Sequence, residues 1–230
     1  MPLFKRIYVD TTSQILVWEI TESFEQLFQE VSLNENSLLR LNKMQSLLHQ
    51  RAFLSVRKLL QEAGYSDFDL FYDKTGKPHL KPNQWQPEAV EVSISHSHTF
   101  STLIISNQKT GIDIEMQREK IIRIAEKFCE PEFCFLETKN ENEYIQKLTK
   151  IWGAKEAIFK IMNVEGISFK KHIQVHEFAI DAKKTQATLK MNMTQQKFDI
   201  YFDAIESSEN KSLKQKFSLV YAFKNNNQSI

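Results

Sequence analysis

A chain of 230 residues, 41% hydrophobic and 26% charged, has the make-up of a globular protein long enough for one large domain or two small ones. Its 30 Lys+Arg against 29 Asp+Glu leave a formal net charge of +1, which excludes a global field recruiting nucleic acid or an anionic membrane. Any anion must therefore be held by a local cluster. Cys129 and Cys134 are too few for a zinc set and read as free thiols of an intracellular protein. The opening Met1-Pro2-Leu3-Phe4-Lys5-Arg6 has no apolar signal core, and no run approaches membrane-spanning length, so the expected location is cytoplasmic, with neither nucleic acid nor membrane as partner.

Ile7 to Ile20 reads as strand material with a turn near Thr11-Thr12-Ser13. Two helical stretches follow. The longer is expected over Ser37 to Ala63, with Leu38, Leu41, Leu48, Phe53, Val56 and Leu60 at roughly helical spacing and Gly64 closing it. Phe68 to Tyr72 reads as a strand, and Asp73 to Pro78 as a turn. From Val90, the alternation of Val92 and Ile94 with Ser93 and Ser95 predicts a half-buried strand ending in a turn at Ser95-His96-Ser97-His98. Strand character resumes at Leu103, Ile104 and Ile105. A second turn at Asn107 to Gly111 leads into the short strand Ile112 to Glu115. Helices are expected at Arg118 to Phe128 and Tyr144 to Met162, then alternating strands from Ile173 to Phe223 and a frayed tail at Asn225-Asn226-Asn227. Strand and helix material thus occurs twice over, which predicts two α+β halves, 1–107 and 108–230.

Asp113 and Glu115, two apart on a strand, point to one face, and Ile112 and Ile114 to the other. Paired carboxylates repel unless a cation neutralises them, and Mg²⁺ takes such oxygen ligands; an isolated Asp-x-Glu is also a common solvated face. The helix after it carries Leu148, Ile151, Trp152, Ile158, Phe159 and Met162 on one arc, with Lys155 near its middle. A charge there is costly unless an anion meets it, which suggests that this helix borders a polar site. Glu156 and Lys160 stand four apart, the spacing of a surface ion pair or of two site residues projecting together. At Ser95-His96-Ser97, backbone N–H groups, a hydroxyl and an imidazole could converge on a phosphate. Neighbouring Ser and His face apart on a strand, which makes a hydrolase triad a poor reading. Arg40, Lys43, Arg51 and Arg57 form the polar side of the long helix.

Taken in order, Gly76-Lys77-Pro78, Ile94-Ser95-His96-Ser97, Gly111-Ile112-Asp113-Ile114-Glu115 and Trp152-Gly153-Ala154-Lys155-Glu156-Ala157-Ile158-Phe159-Lys160 resemble the signature series of Sfp-type phosphopantetheinyl transferases. The resemblance spans Arg40 to Lys160 by motif and the whole chain by length. It implies an α+β fold of two similar halves related by pseudo-two-fold symmetry, a monomer, with coenzyme A and Mg²⁺ held between the halves. By position, Asp113, Glu115 and Glu156 would be the metal ligands. Ser95 and His96 would contact phosphates of coenzyme A, with Lys77 near its adenosine and Arg51 at a family arginine position. Lys160 would face the diphosphate and the leaving 3′,5′-ADP, and Glu156 would accept the proton of the attacking serine. Basic residues that hold the 3′-phosphate in the family have only Arg40 and Lys43 as counterparts here, and neither is assigned.

The implied reaction transfers 4′-phosphopantetheine from coenzyme A to a serine of an apo acyl or peptidyl carrier protein. The nucleophile belongs to the carrier, consistent with the lack of a convincing one in this chain. Two other functions remain open on the same residues: a Mg²⁺-dependent phosphohydrolase or nuclease, and a catalytically silent carrier-binding relative, the latter at odds with the presence of all four of Asp113, Glu115, Glu156 and Lys160.

Overall fold

The computed structural model describes residues 3–84, 88–136, 140–208 and 215–225. The chain divides into two compact units, Met1–Gln108 and Lys109–Ile230, each with its own hydrophobic core. Within both, helices pack on antiparallel sheet, an α+β fold.

The first unit runs β1 (Lys5–Tyr8), β2 (Gln14–Glu19), α1 (Phe24–Gln29), α2 (Glu35–Asn42), α3 (Leu47–Glu62), β3 (Leu70–Tyr72), β4 (Pro78–Leu80), β5 (Glu91–Ser97) and β6 (Phe100–Ser106). Four strands form an antiparallel sheet in the order β1-β2-β6-β5, and β3 and β4 make a separate hairpin. Apolar α3 residues such as Leu54 and Leu59 share a core with Leu16, Trp18, Val92 and Leu103 of the sheet.

The long helix expected over Ser37 to Ala63 is two helices broken at 43–46. Each start has its own extended residue: Asn34 caps α2 through its side chain on the N–H of Ser37, and Ser46 precedes α3 at φ −91°, ψ 120°. Extending the apolar spacing across the break is what fails. Leu38 and Leu48, counted on the buried face, are 40% and 43% exposed. Arg57 also leaves the polar side expected of it. It is buried, with Nε 2.8 Å from Oδ1 of Asp67 and its guanidinium over the Phe53 ring. A buried guanidinium needs such a partner, and Asp67 is supplied from beyond the helix end.

The expected turn at residues 95–98 is also displaced. Ser95, His96 and Ser97 are strand, paired with Thr102, Ser101 and Phe100, and the hairpin turns at His98 and Thr99 with His98 at φ +51°. A tight antiparallel connection needs a left-handed residue, and His98 supplies it.

The second unit runs β7 (Thr110–Met116), a 3₁₀ segment (Glu119–Ile124), α4 (Ala125–Phe128), a second 3₁₀ segment (Pro131–Phe135), α5 (Glu141–Met162), α6 (Phe169–His172), β8 (Ile173–Val175), β9 (Lys184–Met191), β10 (Thr194–Glu206) and β11 (Lys216–Lys224). The helix expected over Arg118 to Phe128 is therefore mostly 3₁₀, with one α-helical turn at its end. The sheet order is β7-β11-β10-β9-β8, antiparallel throughout. Asn140 caps α5 and Asn163 ends it in the left-handed conformation, φ 47°. Leu148, Ile151, Ala154, Ala157, Ile158 and Ile161 of α5 bury against Phe198, Ile200, Val220 and Ala222 of the sheet. Of the expected tail, Asn225 closes on Lys197 O, while Asn226 and Asn227 lie outside the described residues. No helix among the described residues is long and apolar enough to cross a membrane.

Candidate active site

Gly111, Asp113 and Glu115 alternate along β7 with Ile112 and Ile114, so a period of two puts the glycine and both carboxylates on one face. Ile112 and Ile114 are fully buried on the other. The glycine face meets α5 at close range. A methyl on Gly111 would collide with the carbonyl oxygen of Ala157, and one on Gly153 would lie 2.8 Å from Cγ2 of Val220. Only residues without Cβ let the α5 backbone settle so near β7 and β11. That approach sets Lys160 against the strand. Its ammonium donates to Asp113 Oδ1 at 2.8 Å and to Ile112 O at 2.9 Å.

Glu156 lies one turn before Lys160. Burial pushes its carboxyl up to about 7; the charge of Asp113 adds to the shift, Lys160 opposes it, and Glu115 adds again. Asp113, Glu115 and Lys160 therefore all act electrostatically on Glu156. The surface-pair alternative for Glu156 and Lys160 does not describe it, because the Lys160 ammonium goes across to the buried Asp113. A pocket of about 180 Å³ opens beside Glu115, with Arg118, Ile121 and Trp152 in its lining.

Among the described residues, no three His, Cys, Asp or Glu side chains are gathered closely enough to hold a metal ion. The charge of Asp113 is balanced by Lys160 instead. The donor chemistry still suits a hard divalent cation, since Asp113, Glu115 and Glu156 offer carboxylate oxygens only, and burial, with the charges of Asp113 and Glu115 added, raises the Glu156 carboxyl to about 7.

Lys155 does not border this cluster. Fully buried, its ammonium lies 2.7 Å from Oε1 of Glu132, which is equally buried, and donates to the carbonyls of Phe128, Ile173 and Phe169 at 2.7, 2.7 and 3.0 Å. Glu132 in turn accepts the N–H of Val175 at 2.9 Å. The anion that makes a mid-face lysine tolerable is thus internal, carried on the segment Pro131–Phe135. Nothing near Lys155 or Pro131 in the sequence names that pairing.

The other expected site residues lie in the first unit. Lys77 is bonded to Glu91 Oε2 at 3.0 Å. Arg51 reaches the carbonyl of Ile20 at 2.9 Å through Nη2, and its Nε is buried with no hydrogen-bond partner among the described residues. Ser95 is buried and His96 exposed, on opposite faces of β5, so the hydroxyl and imidazole do not converge. The His96 ring neighbours that of His49 of α3, centroid to centroid 6.2 Å, a residue that no sequence motif singles out.

Residues 109–224 match the family model described as the 4′-phosphopantetheinyl transferase superfamily. The chain is also 32% identical over 152 residues to the 4′-phosphopantetheinyl transferase gsp of Aneurinibacillus migulanus, a match covering 64% of this chain and 60% of that relative.

Proposed function

The chain belongs to the 4′-phosphopantetheinyl transferase superfamily, and from that premise we propose that it moves 4′-phosphopantetheine from coenzyme A to a serine of an apo acyl or peptidyl carrier protein, releasing 3′,5′-ADP. The observation that carries this reading is the cluster of Asp113, Glu115, Glu156 and Lys160 where α5 meets β7, with Glu156 pushed up to about 7.

A carboxyl that gains and loses its proton near neutrality suits general-base work. In the proposed reaction the carrier serine Oγ forms a bond to the β-phosphorus, its proton passes to the Glu156 carboxylate, and the bond from that phosphorus to the bridging oxygen breaks. The electron pair leaves with 3′,5′-ADP. Lys160 is the cation available to meet that charge, moving from its bond with Asp113. Asp113, Glu115 and Glu156 would hold Mg²⁺, which when bound supplies charge neutralisation at a diphosphate. Lys77, Ser95, His96 and Arg51 remain the proposed contacts to coenzyme A. The reading includes a cytoplasmic monomer; both Cys129 and Cys134 are free thiols, as a reducing compartment would keep them.

The test is the intact mass of an apo-carrier protein mixed with coenzyme A, Mg²⁺ and this protein. A carrier heavier by one phosphopantetheine supports the proposal. Coenzyme A consumed with the carrier unchanged would instead make the protein a phosphohydrolase. Asp113→Ala and Glu115→Ala should each nearly abolish transfer and any Mg²⁺-dependent binding of coenzyme A, and near-normal activity in either would remove the metal assignment.

A further inference from the structure

We propose that Asp73 is a positioning residue for coenzyme A, acting through Lys77 by fixing the loop between β3 and β4 before the donor arrives. The inference rests on the proposed contact between Lys77 and coenzyme A.

Lys77 lies in the loop of the β3–β4 hairpin, where a lysine is ordinarily free in both backbone and side chain. Here both are held. Asp73 satisfies the two backbone polar groups of Lys77: its Oδ1 accepts the Lys77 N–H at 3.0 Å, and its own N–H donates to the Lys77 carbonyl at 3.0 Å. The same Oδ1 accepts the N–H of Thr75 at 2.9 Å and the Thr75 hydroxyl. The Asp73 carbonyl accepts the N–H of Gly76, which turns the chain at φ +85°, a conformation that favours glycine.

The other carboxylate oxygen of Asp73 lies 3.0 Å from Nε2 of His79, whose ring stacks on Phe71 at 5.3 Å and 21°. Phe71 and His79 are cross-strand partners, so the pairing of the hairpin itself delivers the imidazole to Asp73. The Thr75 hydroxyl first, and His79 second, hold the Asp73 carboxyl well below the usual carboxylate range. At its far end Lys77 is also held, its ammonium 3.0 Å from Oε2 of Glu91 on β5 and its side chain only 15% exposed.

An exposed carboxylate that gathers donors from Thr75, Lys77 and His79 buries no core. Its effect is to set where the Lys77 side chain starts. A contact residue already in place does not lose ordering entropy when the ligand binds, whereas a loose loop would. Asp73 lies outside the Gly76-Lys77-Pro78 motif, and only the folded loop joins it to Lys77.

The test is calorimetric affinity for coenzyme A, measured on the full chain and on Asp73→Ala, Asp73→Asn, Lys77→Ala and the double alanine variant. Asp73→Ala should weaken binding by about tenfold, the order of fixing one residue's backbone again. Asp73→Asn should stay near wild type, because its amide oxygen still accepts the N–H groups of Thr75 and Lys77. With Lys77→Ala in place, adding Asp73→Ala should cost nothing further, since Asp73 acts only through Lys77. In transfer assays the loss should fall on KM for coenzyme A and leave kcat unchanged. Wild-type affinity in Asp73→Ala, failure of Asp73→Asn to rescue it, or the same tenfold loss on the Lys77→Ala background would each overturn the proposal. Wild-type affinity in Lys77→Ala would remove the contact on which the inference rests. A wild-type protein that binds no coenzyme A would overturn the donor assignment itself, and this inference with it.

Discussion

Lys160 spans from α5 to β7 to place its ammonium 2.8 Å from Oδ1 of Asp113, a carboxylate only 4% exposed. An exposed Glu-Lys pair on a helix contributes about 0.3–0.5 kcal/mol and leaves catalysis alone. Lys160→Ala instead removes the cation beside a nearly buried carboxylate, and the proposed mechanism also needs it at the leaving group. Single-turnover transfer should slow by about 100-fold. Rates near wild type at saturating coenzyme A and carrier would show that the ammonium serves only the strand contact.

The fully buried Lys155–Glu132 pair makes a stability prediction independent of function. Lys155→Met leaves Glu132 charged and without its counterion, at a cost of about 3–5 kcal/mol by denaturant unfolding. Replacing both, Lys155→Met with Glu132→Gln, should recover much of that loss, because the glutamine amide oxygen can still accept the Val175 N–H. A double variant no more stable than the single would mean that the three carbonyls around Lys155, rather than Glu132, account for the loss.

How far the sequence reaches depends on whether a feature is local. The Asp113/Glu115 face follows from strand period alone, and the place of Glu156 before Lys160 from helical spacing; both are visible without knowing what α5 packs against. The break between α2 and α3 was hidden because apolar spacing runs through it with only Ser46 to mark the restart. Glu132 beneath Lys155, Asp67 against Arg57 and His49 beside His96 are pairings across 23, 10 and 47 positions of chain, taken from the residue numbers. They depend on packing, which leaves no period in the sequence. The turn expected at Ser95 to His98 falls later in the chain for a related reason: a polar Ser-His-Ser run reads as loop, yet its backbone is satisfied by pairing with β6.

Gly111 offers a test of what holds the carboxylates against α5. A methyl there meets the Ala157 carbonyl, which is backbone and cannot swing away as a side chain could. Gly111→Ala should therefore force β7 and α5 apart, lowering the melting temperature and transfer together. Gly76→Ala is the contrasting case: φ is +85° with open space around Cβ, so it should cost about 1 kcal/mol of local strain and leave the β7–α5 contact intact. Wild-type stability in Gly111→Ala would mean that the two elements have slack to give.

Glu156 joins stability and chemistry in one titration. Its carboxyl is raised from the ordinary 4.5 to about 7, so between those values the folded metal-free protein holds a proton that the unfolded chain has released. Stability from this group is fully present below pH 4.5 and is lost as pH rises through about 7. Glu156→Gln cannot ionise and should escape the loss. Denaturant unfolding in EDTA should find the variant more stable than wild type above pH 7 by a margin on the order of 3 kcal/mol, shrinking toward zero near pH 4.5. Added Mg²⁺ should stabilise the wild type at the higher pH and leave the variant less affected, because a ligand carboxylate has been removed. The same substitution removes the proposed base, and turnover should drop by about 100-fold or more. A stability difference that does not change with pH would mean that Glu156 titrates at its ordinary value, and its assignment as a base poised near neutrality would have to be withdrawn.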